Sequence, residues 1–400
     1  MSDWQQLRLG DVLTLQRGFD ITKKQQRPGP IPVVSSSGIS STHAESRAEG
    51  PGVVIGRKGS LGTTFFLHGP FWPHDTTLWV KDFKGNDPFF CYLLLKGLRL
   101  SDLDAGSSNP TLNRNHVHML EVATPGVVLQ RRIAAVLFAF DQLIEINERR
   151  IALLEDLARS LYREWFVHFR FPGHAGMELV GAELGLIPEG WELQPLADLA
   201  RSLTDGDWIE TKDQGGSDYR LLQVSNVGLG AFRETGKFRY ISEETFIKLR
   251  CTAIEEGDLL ISRMPDPIGR AWLADQLVEP AVTAVDVAIL RPLSSAVGAY
   301  LNLWLNSPPS LAMAEAAATG TTRKRISRSV LAQLKVPLPP LESLLAFETA
   351  AAPLRRHSNA LRSATAHLGD IRDLLLPRLV TGRLDISDID LDGLLPGKSE

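Results

Sequence analysis

From Ile133 onward the apolar positions of the chain advance by alternating steps of four and three. They run Ile133, Leu137, Phe140, Ile144, Asn147, Ile151, Leu154, Ala158, Leu161 and Trp165. That spacing is a heptad seam and predicts one long helix over residues 126–168. Asn147 is the polar member of the seam, the kind of residue that fixes register at some cost in stability. A second, weaker seam runs Phe347, Ala351, Leu354, Ser358, Leu361, Thr365, Leu368, Arg372, Leu375 and Leu379, predicting a second helix over 341–382. Pro353 is expected to kink or restart it. Two seams of equal length in one chain, with a globular stretch between them, predict an antiparallel pair. At 1.5 Å rise per residue each helix spans roughly 50–60 Å, enough to hold two modules on successive turns of DNA, which repeat every ~34 Å.

Outside the seams, short apolar runs broken by Gly and Pro predict strands and turns, and these runs occur twice. "GSSNPTLNRNHVHMLEVATP" (106–125) lies without a gap on "GTTRKRISRSVLAQLKVPLP" (320–339): Gly106 meets Gly320, Arg114 meets Arg328 and Pro125 meets Pro339. We read this unit as a polar loop followed by a strand. "WQQLRLGDV" repeats as "WELQPLADL", and "GPGVVIGRKGSLG" resembles "EEGDLLISRMPDPIG". Asp75 and Asp286 each precede a strand. The fold class is therefore α+β with an internal pseudo-twofold repeat: two similar mixed α/β modules separated by two long helices. The expected divisions are a first module (1–125), a first helix (126–168), a connector (169–190), a second module (191–340), a second helix (341–382) and an acidic tail (383–400).

A chain of 400 residues exceeds one ordinary core. Hydrophobic content of 44%, charged content of 22% and mean hydropathy of −0.05 describe a globular chain. The apolar run a membrane span needs is missing, and the N-terminus lacks a secretory pattern; a cytoplasmic protein without a membrane partner is expected. Cys91 and Cys251 stand far apart, as two structural thiols. The net charge of −4 excludes a uniformly basic nucleic-acid coat. It leaves room for local basic faces, and Arg323, Lys324, Arg325, Arg328 and Lys335 form one such stretch without acids. Arg17, Lys23, Lys24 and Arg27 make a second basic cluster.

Several stretches resemble the specificity (S) subunit of type I restriction–modification systems. They are "GRKGSLG…GPFWPHDT", "QRRIAAVLFAFDQLIEIN", "LYREWFVHF…GLIPEGW" and "LLLPRLVTGRLD", in that order along nearly the whole chain. The resemblance implies two target-recognition domains that each read one half of a bipartite, asymmetric site in double-stranded DNA, set apart by an antiparallel coiled coil. It also implies docking of two modification (methyltransferase) subunits, which recruit restriction/translocase subunits. On this view the chain is non-catalytic and binds no cofactor of its own; S-adenosylmethionine, ATP and Mg2+ belong to the partners. "LESLLAFETAAAP" departs from the pattern, lacking the Gln130–Arg131 pair of the first helix.

Candidate DNA contacts follow from side-chain chemistry. Asn can bond adenine N6 and N7, Arg can fork onto guanine, and small Ser or Thr residues admit a phosphate. These are Ser107, Ser108, Asn113, Arg114 and Asn115 in the first copy, and Thr321, Thr322, Arg323, Lys324, Arg325 and Arg328 in the second. Arg57 and Lys58 on a glycine-flanked loop, with counterparts Arg263 and Arg270, are further candidates. The competing reading makes these loops plain turns and Arg114 and Arg328 framework residues. The coiled-coil and partner interface is expected at Ile133, Leu137, Phe140, Ile144, Asn147, Ile151, Leu154, Leu161, Leu361, Leu368 and Leu375. Trp4, Trp191, Phe71 and Trp72 read as core anchors.

Catalytic patterns fail on inspection. "NDPFF" has one proline and no glycine-rich cofactor loop; Asp205, Asp207, Glu210 and Lys212 mimic a nuclease site without a supporting strand. His116 and His118, placed on one strand face, lack a third metal ligand, so no metal is expected. A self-sufficient modification or cleavage enzyme and a coiled-coil assembly scaffold are the alternatives.

Overall fold

The computed structural model describes residues 4–98, 100–103, 111–321, 323–387 and 389. The candidate positions Ser107, Ser108 and Thr322 lie outside the described residues, as does most of the acidic tail. The chain forms two compact units, Met1–Glu148 with Ser363–Glu400 and Arg149–Arg362. Each unit holds one module and one end of both long helices.

In the first unit, in chain order, lie β1 (Gln5–Arg8), α1 (Leu9–Val12), β2 (Thr14–Arg17), β3 (Ile31–Ser35), β4 (Gly38–His43), β5 (Gly52–Gly56) and β6 (Thr64–Leu67). β7 (Trp72–Pro73), β8 (Thr77–Asp82), α2 (Pro88–Gly97), α3 (Arg114–His118), β9 (Glu121–Thr124) and the start of α4 (Val127–Phe166) follow. The sheets are ordered β2-β8-β5-β6, β4-β3-β7 and β1-β9. All of β5 is buried, and a Cβ on Gly56 would come within 2.0 Å of the Ser60 carbonyl. A glycine is therefore required there, and it lets the following loop fold back tightly. α2 starts where the Asp87 side chain accepts the Phe90 N–H (2.9 Å), and Phe90 and Leu95 pack beneath it with Leu9, Leu15 and Leu78.

The second unit starts with the hairpin β10 (Leu179–Ala182) and β11 (Gly185–Pro188), in what the sequence suggested was a plain connector. β12 (Glu192–Pro195), a 3-10 turn (Leu196–Leu199), β13 (Ala200–Asp205), β14 (Tyr219–Leu222), β15 (Tyr240–Ile241), α5 (Glu243–Leu249), β16 (Leu259–Ser262) and β17 (Ala271–Leu273) follow. β18 (Ala281–Thr283), β19 (Val287–Pro292), α6 (Ser295–Leu305), α7 (Pro308–Ala317), α8 (Arg328–Ala332), β20 (Lys335–Leu338) and the first part of α9 (Leu341–Val380) complete it. Its sheets, β13-β19-β16-β17, β15-β14-β18 and β12-β20, repeat the strand order of the first unit. In both units the middle strand of the three-stranded sheet has one antiparallel and one parallel neighbour.

The repeat extends to single hydrogen bonds. The Leu9 N–H donates to the Leu120 carbonyl at 2.8 Å, and Leu196 donates to Leu334 at 2.9 Å. Leu112 donates to the Arg57 carbonyl at 2.9 Å, and Ile326 to that of Arg263 at 3.1 Å. The repeated loop does not run straight into a strand, as the sequence suggested. A short helix, α3 or α8, intervenes; its cap is Asn113 accepting from Asn115 in one copy and Ser327 accepting from Val330 in the other.

The heptad seam is realised. Ile133, Leu137 and Asn147 are buried on α4, and Phe347, Ala351, Ser358 and Leu379 on α9. In the second unit Arg362 pairs with Glu155 and Trp165 meets Phe347 at 5.7 Å, so α4 and α9 run antiparallel. In the first unit Arg372 bonds Asp141 at 2.7 Å, and Leu379 and Val380 share a core with Ile133 and Leu137. Pro353 does not kink or restart α9, which is continuous from Leu341 to Val380. Its ring faces outward, while buried Ala351 before it and Arg355 after it, bonded to Glu348 (2.9 Å) and Asp275, hold both flanks in place. Tertiary packing offsets the lost N–H.

Candidate nucleic-acid interface

In the second module three loops converge where β13 and β16 end and β19 begins. The Thr319–Arg325 loop is closed by reciprocal bonds between the two residues it names, Thr319 N–H to the Arg325 carbonyl (3.0 Å) and the reverse (2.9 Å). Along it Thr321, Arg323 and Lys324 are exposed, and Arg325 is half-buried. Lys324 pairs with Glu315 (2.6 Å), Arg325 with Asp286 (3.2 Å) and Arg328 with Asp205 (3.7 Å). Arg323 has no such partner among the described residues. The result is a cationic rim whose charges are partly balanced and held in place by Asp205 and Asp286 at the sheet ends and by Glu315 of α7.

Arg263 and Arg270 do not belong to that rim, contrary to the sequence expectation. They are buried, at 6% and 7% exposure. Arg263 pairs with Asp205 and donates through Nε to the Ile326 carbonyl (3.0 Å) and through Nη1 to that of Val285 (3.2 Å). Arg270 donates to four carbonyls: Val227 (2.7 Å), Pro267 (2.8 Å), Val224 (2.9 Å) and Met264 (3.2 Å). Burial pushes both guanidiniums down from their ordinary value, with Asp205 opposing this for Arg263. Both remain cations, because every bond they make is to a carboxylate or a carbonyl. Each acts as a clip: Arg263 ties the Thr319–Arg325 loop to the loop after β16, and Arg270 ties the segment after β14 to the same loop.

The first module presents a sparser version. Asn113, Arg114 and Asn115 are exposed at the start of α3, and Arg57 and Lys58 are half-buried. Lys58 bridges Thr111, and the Arg57 N–H donates to the Thr76 carbonyl (2.8 Å). Gly18 aligns with Gly206, which sets Arg17 where the second module has Asp205, so Arg57 lacks the carboxylate that neutralises Arg263. Arg17 instead bonds Asp75 at 3.0 Å.

His116 and His118 lie on α3 rather than on a strand. His118 Nε2 accepts the Leu15 N–H at 2.9 Å, and burial, followed by Arg114 and Lys84, pushes its pKa down. Asp20, His74 and Asp75 do bring three potential ligand atoms within 4.8 Å of one another. Asp75, however, already bonds Arg17 and His74 (3.0 Å each), so an internal cation serves it. Cys91 and Cys251 are buried in separate units; burial pushes their thiols up to about 12 and about 11, helped by Asp87 and Asp207 respectively.

Gln130 explains the Gln-Arg pair at the head of α4. It is buried, accepts the Asp87 N–H (3.0 Å), and donates to Asn86 (2.7 Å) and the Pro125 carbonyl (2.9 Å), pinning α2 to the helix. In the second copy Leu344 stands in its place and is buried in the core. Of the expected interface positions, Phe140, Ile144, Ile151, Leu154, Leu161, Leu361, Leu368 and Leu375 are half-buried along the seam. Off the seam, Leu143, Leu153 and Leu157 of α4 are exposed at 49%, 68% and 55%. Two exposed aromatics of the second module, Trp208 (69%) and Phe238 (59%), escaped the sequence reading.

Residues 1–156 match the family described as type I restriction modification DNA specificity domain. The specificity subunit of the type I restriction enzyme MjaVIII from Methanocaldococcus jannaschii is 22% identical, over 97% of this chain and 94% of that protein. The MjaIX specificity subunit of the same organism is 24% identical over 72% of this chain and 66% of its own length. The crystal structure of a type I restriction–modification S subunit from M. genitalium superposes with a TM-score of 0.64 at 15% identity, covering 96% of this chain and 97% of that one. With its repeated modules and paired heptad helices, the chain is thus similar over nearly its whole length to type I restriction–modification specificity subunits.

Proposed function

We propose that the chain is the non-catalytic DNA-recognition subunit of a type I restriction–modification complex, reading a bipartite site with one module per half. The observation that carries this reading is a framework with the same strand order and equivalent backbone hydrogen bonds in both modules, beneath unlike loops. Two half-sites of different sequence call for one scaffold and two sets of contacts. Exposed Asn113, Arg114, Asn115, Arg323, Lys324 and Arg328 supply groups that bond bases and phosphates. The exposed Leu153 and Leu157 of α4 supply an apolar face for modification subunits, which in turn bring the restriction subunits. S-adenosylmethionine, ATP and Mg2+ would then be bound by those partners.

The test is co-expression with the neighbouring modification subunit, followed by sequencing of methylated bases in host DNA. A split motif with a fixed unread gap is expected. A continuous motif would break the two-reader reading, and no methylation from an assembled, cofactor-bound complex would favour a protein scaffold.

A further inference from the structure

The two modules differ most in one connection. In the first, β3 and β4 are joined by Ser36 and Ser37 alone. In the second, the equivalent strands β14 and β15 are separated by residues 223–239, "QVSNVGLGAFRETGKFR". We propose that this insertion is a DNA-reading loop of the second module, in which Phe238 makes apolar contact with a base while Arg233 and Lys237 bond the flanking phosphates. The inference rests on the recognition role proposed above and names an element that carries it.

Three observations support it. First, the loop is held rigid. Its near end is clipped by Arg270 to the Val224 and Val227 carbonyls, and Asn226 donates to the Arg233 carbonyl at 3.1 Å. Its far end is held by Arg220, which bonds both oxygens of Glu234 (2.9 and 2.7 Å) and lies 5.4 Å from the Phe232 ring and 4.7 Å from that of Phe238. The Glu234 carboxylate also accepts the Thr235 and Gly236 N–H groups. Such an arrangement lets a side chain bind without ordering cost.

Second, the loop presents cations without balancing acids. Its one acidic residue, Glu234, is paired with Arg220, which also meets Glu279 at 3.4 Å. Arg233 and Lys237 are exposed, and among the described residues neither they nor Arg239 has a carboxylate partner. Third, Phe238 is 59% exposed between those cations. An apolar ring fixed outward among free positive charges fits a polyanion with apolar bases, where phenylalanine can meet a thymine methyl or wedge into a base step. It fits a protein core poorly. The near end of the loop and the segment bearing the cationic rim are fastened to the same Met264–Gly269 loop, by Arg270 and Arg263 respectively.

The experiment uses the full chain assembled with its modification subunit, comparing wild type, Phe238→Ala and Lys237→Gln. Host DNA is sequenced for methylated bases, and affinity for a 40-base-pair duplex carrying the wild-type motif is followed against salt. Phe238→Ala is expected to lower methylation about tenfold or to admit new bases, in one half of the motif only. Lys237→Gln is expected to weaken binding to all sequences and to reduce the slope of log affinity against log salt by about 0.9. Unchanged motif and slope, in variants that melt with the wild type, would overturn the inference while leaving the recognition role intact. Equal loss of both halves would overturn it too, since a loop of one module cannot read both. A wild-type complex without a split motif would bring down the recognition role and this inference together.

Discussion

Arg270 carries four hydrogen bonds to backbone carbonyls from within the protein. Removing it leaves those acceptors buried, and an unmet buried group costs about 1–3 kcal/mol. Arg270→Ala should therefore lose about 3 kcal/mol or more in urea unfolding, and Arg270→Lys should rescue little, because an ammonium cannot reproduce the planar fork. Arg323→Ala, at an exposed position, should stay within about 0.5 kcal/mol while weakening DNA binding. The sequence could not separate these residues: an arginine beside a glycine-containing loop looks the same whether solvent or a ring of carbonyls awaits it. His118 shows a similar limit: its local sequence reads equally as a strand, and the structure places it on a one-turn helix. Its neutral Nε2 is needed to accept the Leu15 N–H, so burial and nearby cations depress its folded pKa below the unfolded 6.5. The unfolded state then binds the extra proton, so this contribution is present above pH 6.5 and is lost as pH falls through the folded value. Thermal melts between pH 7.5 and 5 should show that decline, and His118→Gln should flatten it.

Helices separate what is legible in a sequence from what is not. The heptad seam was readable because its steps of four and three persist across the whole of α4 and α9, far beyond chance alternation. The five-residue helices α3 and α8 were not, since one turn has no period; the cap residues Asn113 and Ser327 were their only signal. Pro353 reads as a break because local propensity favours one, while packing on both sides maintains the helix. The proline still costs α9 a hydrogen bond and crowds the preceding turn. Pro353→Ala should accordingly stabilise the protein by about 1–3 kcal/mol, seen as a higher denaturant midpoint with an unchanged m-value. On α4 the off-seam leucines make the opposite kind of prediction. Leu153→Lys with Leu157→Lys removes exposed apolar surface and should leave the melting temperature within a degree or two. It should abolish co-purification with the modification subunit if that face is the dock.

At the scale of the whole chain, the repeat is the physical content of the recognition role, and it can be tested as such. β12 pairs with β20 as β1 pairs with β9, Glu192 opposite Leu338 and Gln5 opposite Thr124, so each module enters and leaves its helices through one two-stranded gate. A segment cut at those gates should transplant with its hydrogen bonds intact. Replacing Glu192–Leu338 with a second copy of Gln5–Thr124 should then fold, provided the core partners change with it. Phe347 and Trp191 of the second unit share aromatic contacts with Phe166, and Leu344 replaces the Gln130 that anchors the first module. The exchange therefore needs Leu344→Gln, which supplies the polar anchor the transplanted Asn86 and Asp87 expect. The methylated motif of such a complex should contain the same half-site twice, with the second original half gone. If the second half survived unchanged, bases would be read by residues outside the modules, and the repeat would be a scaffold for something other than recognition.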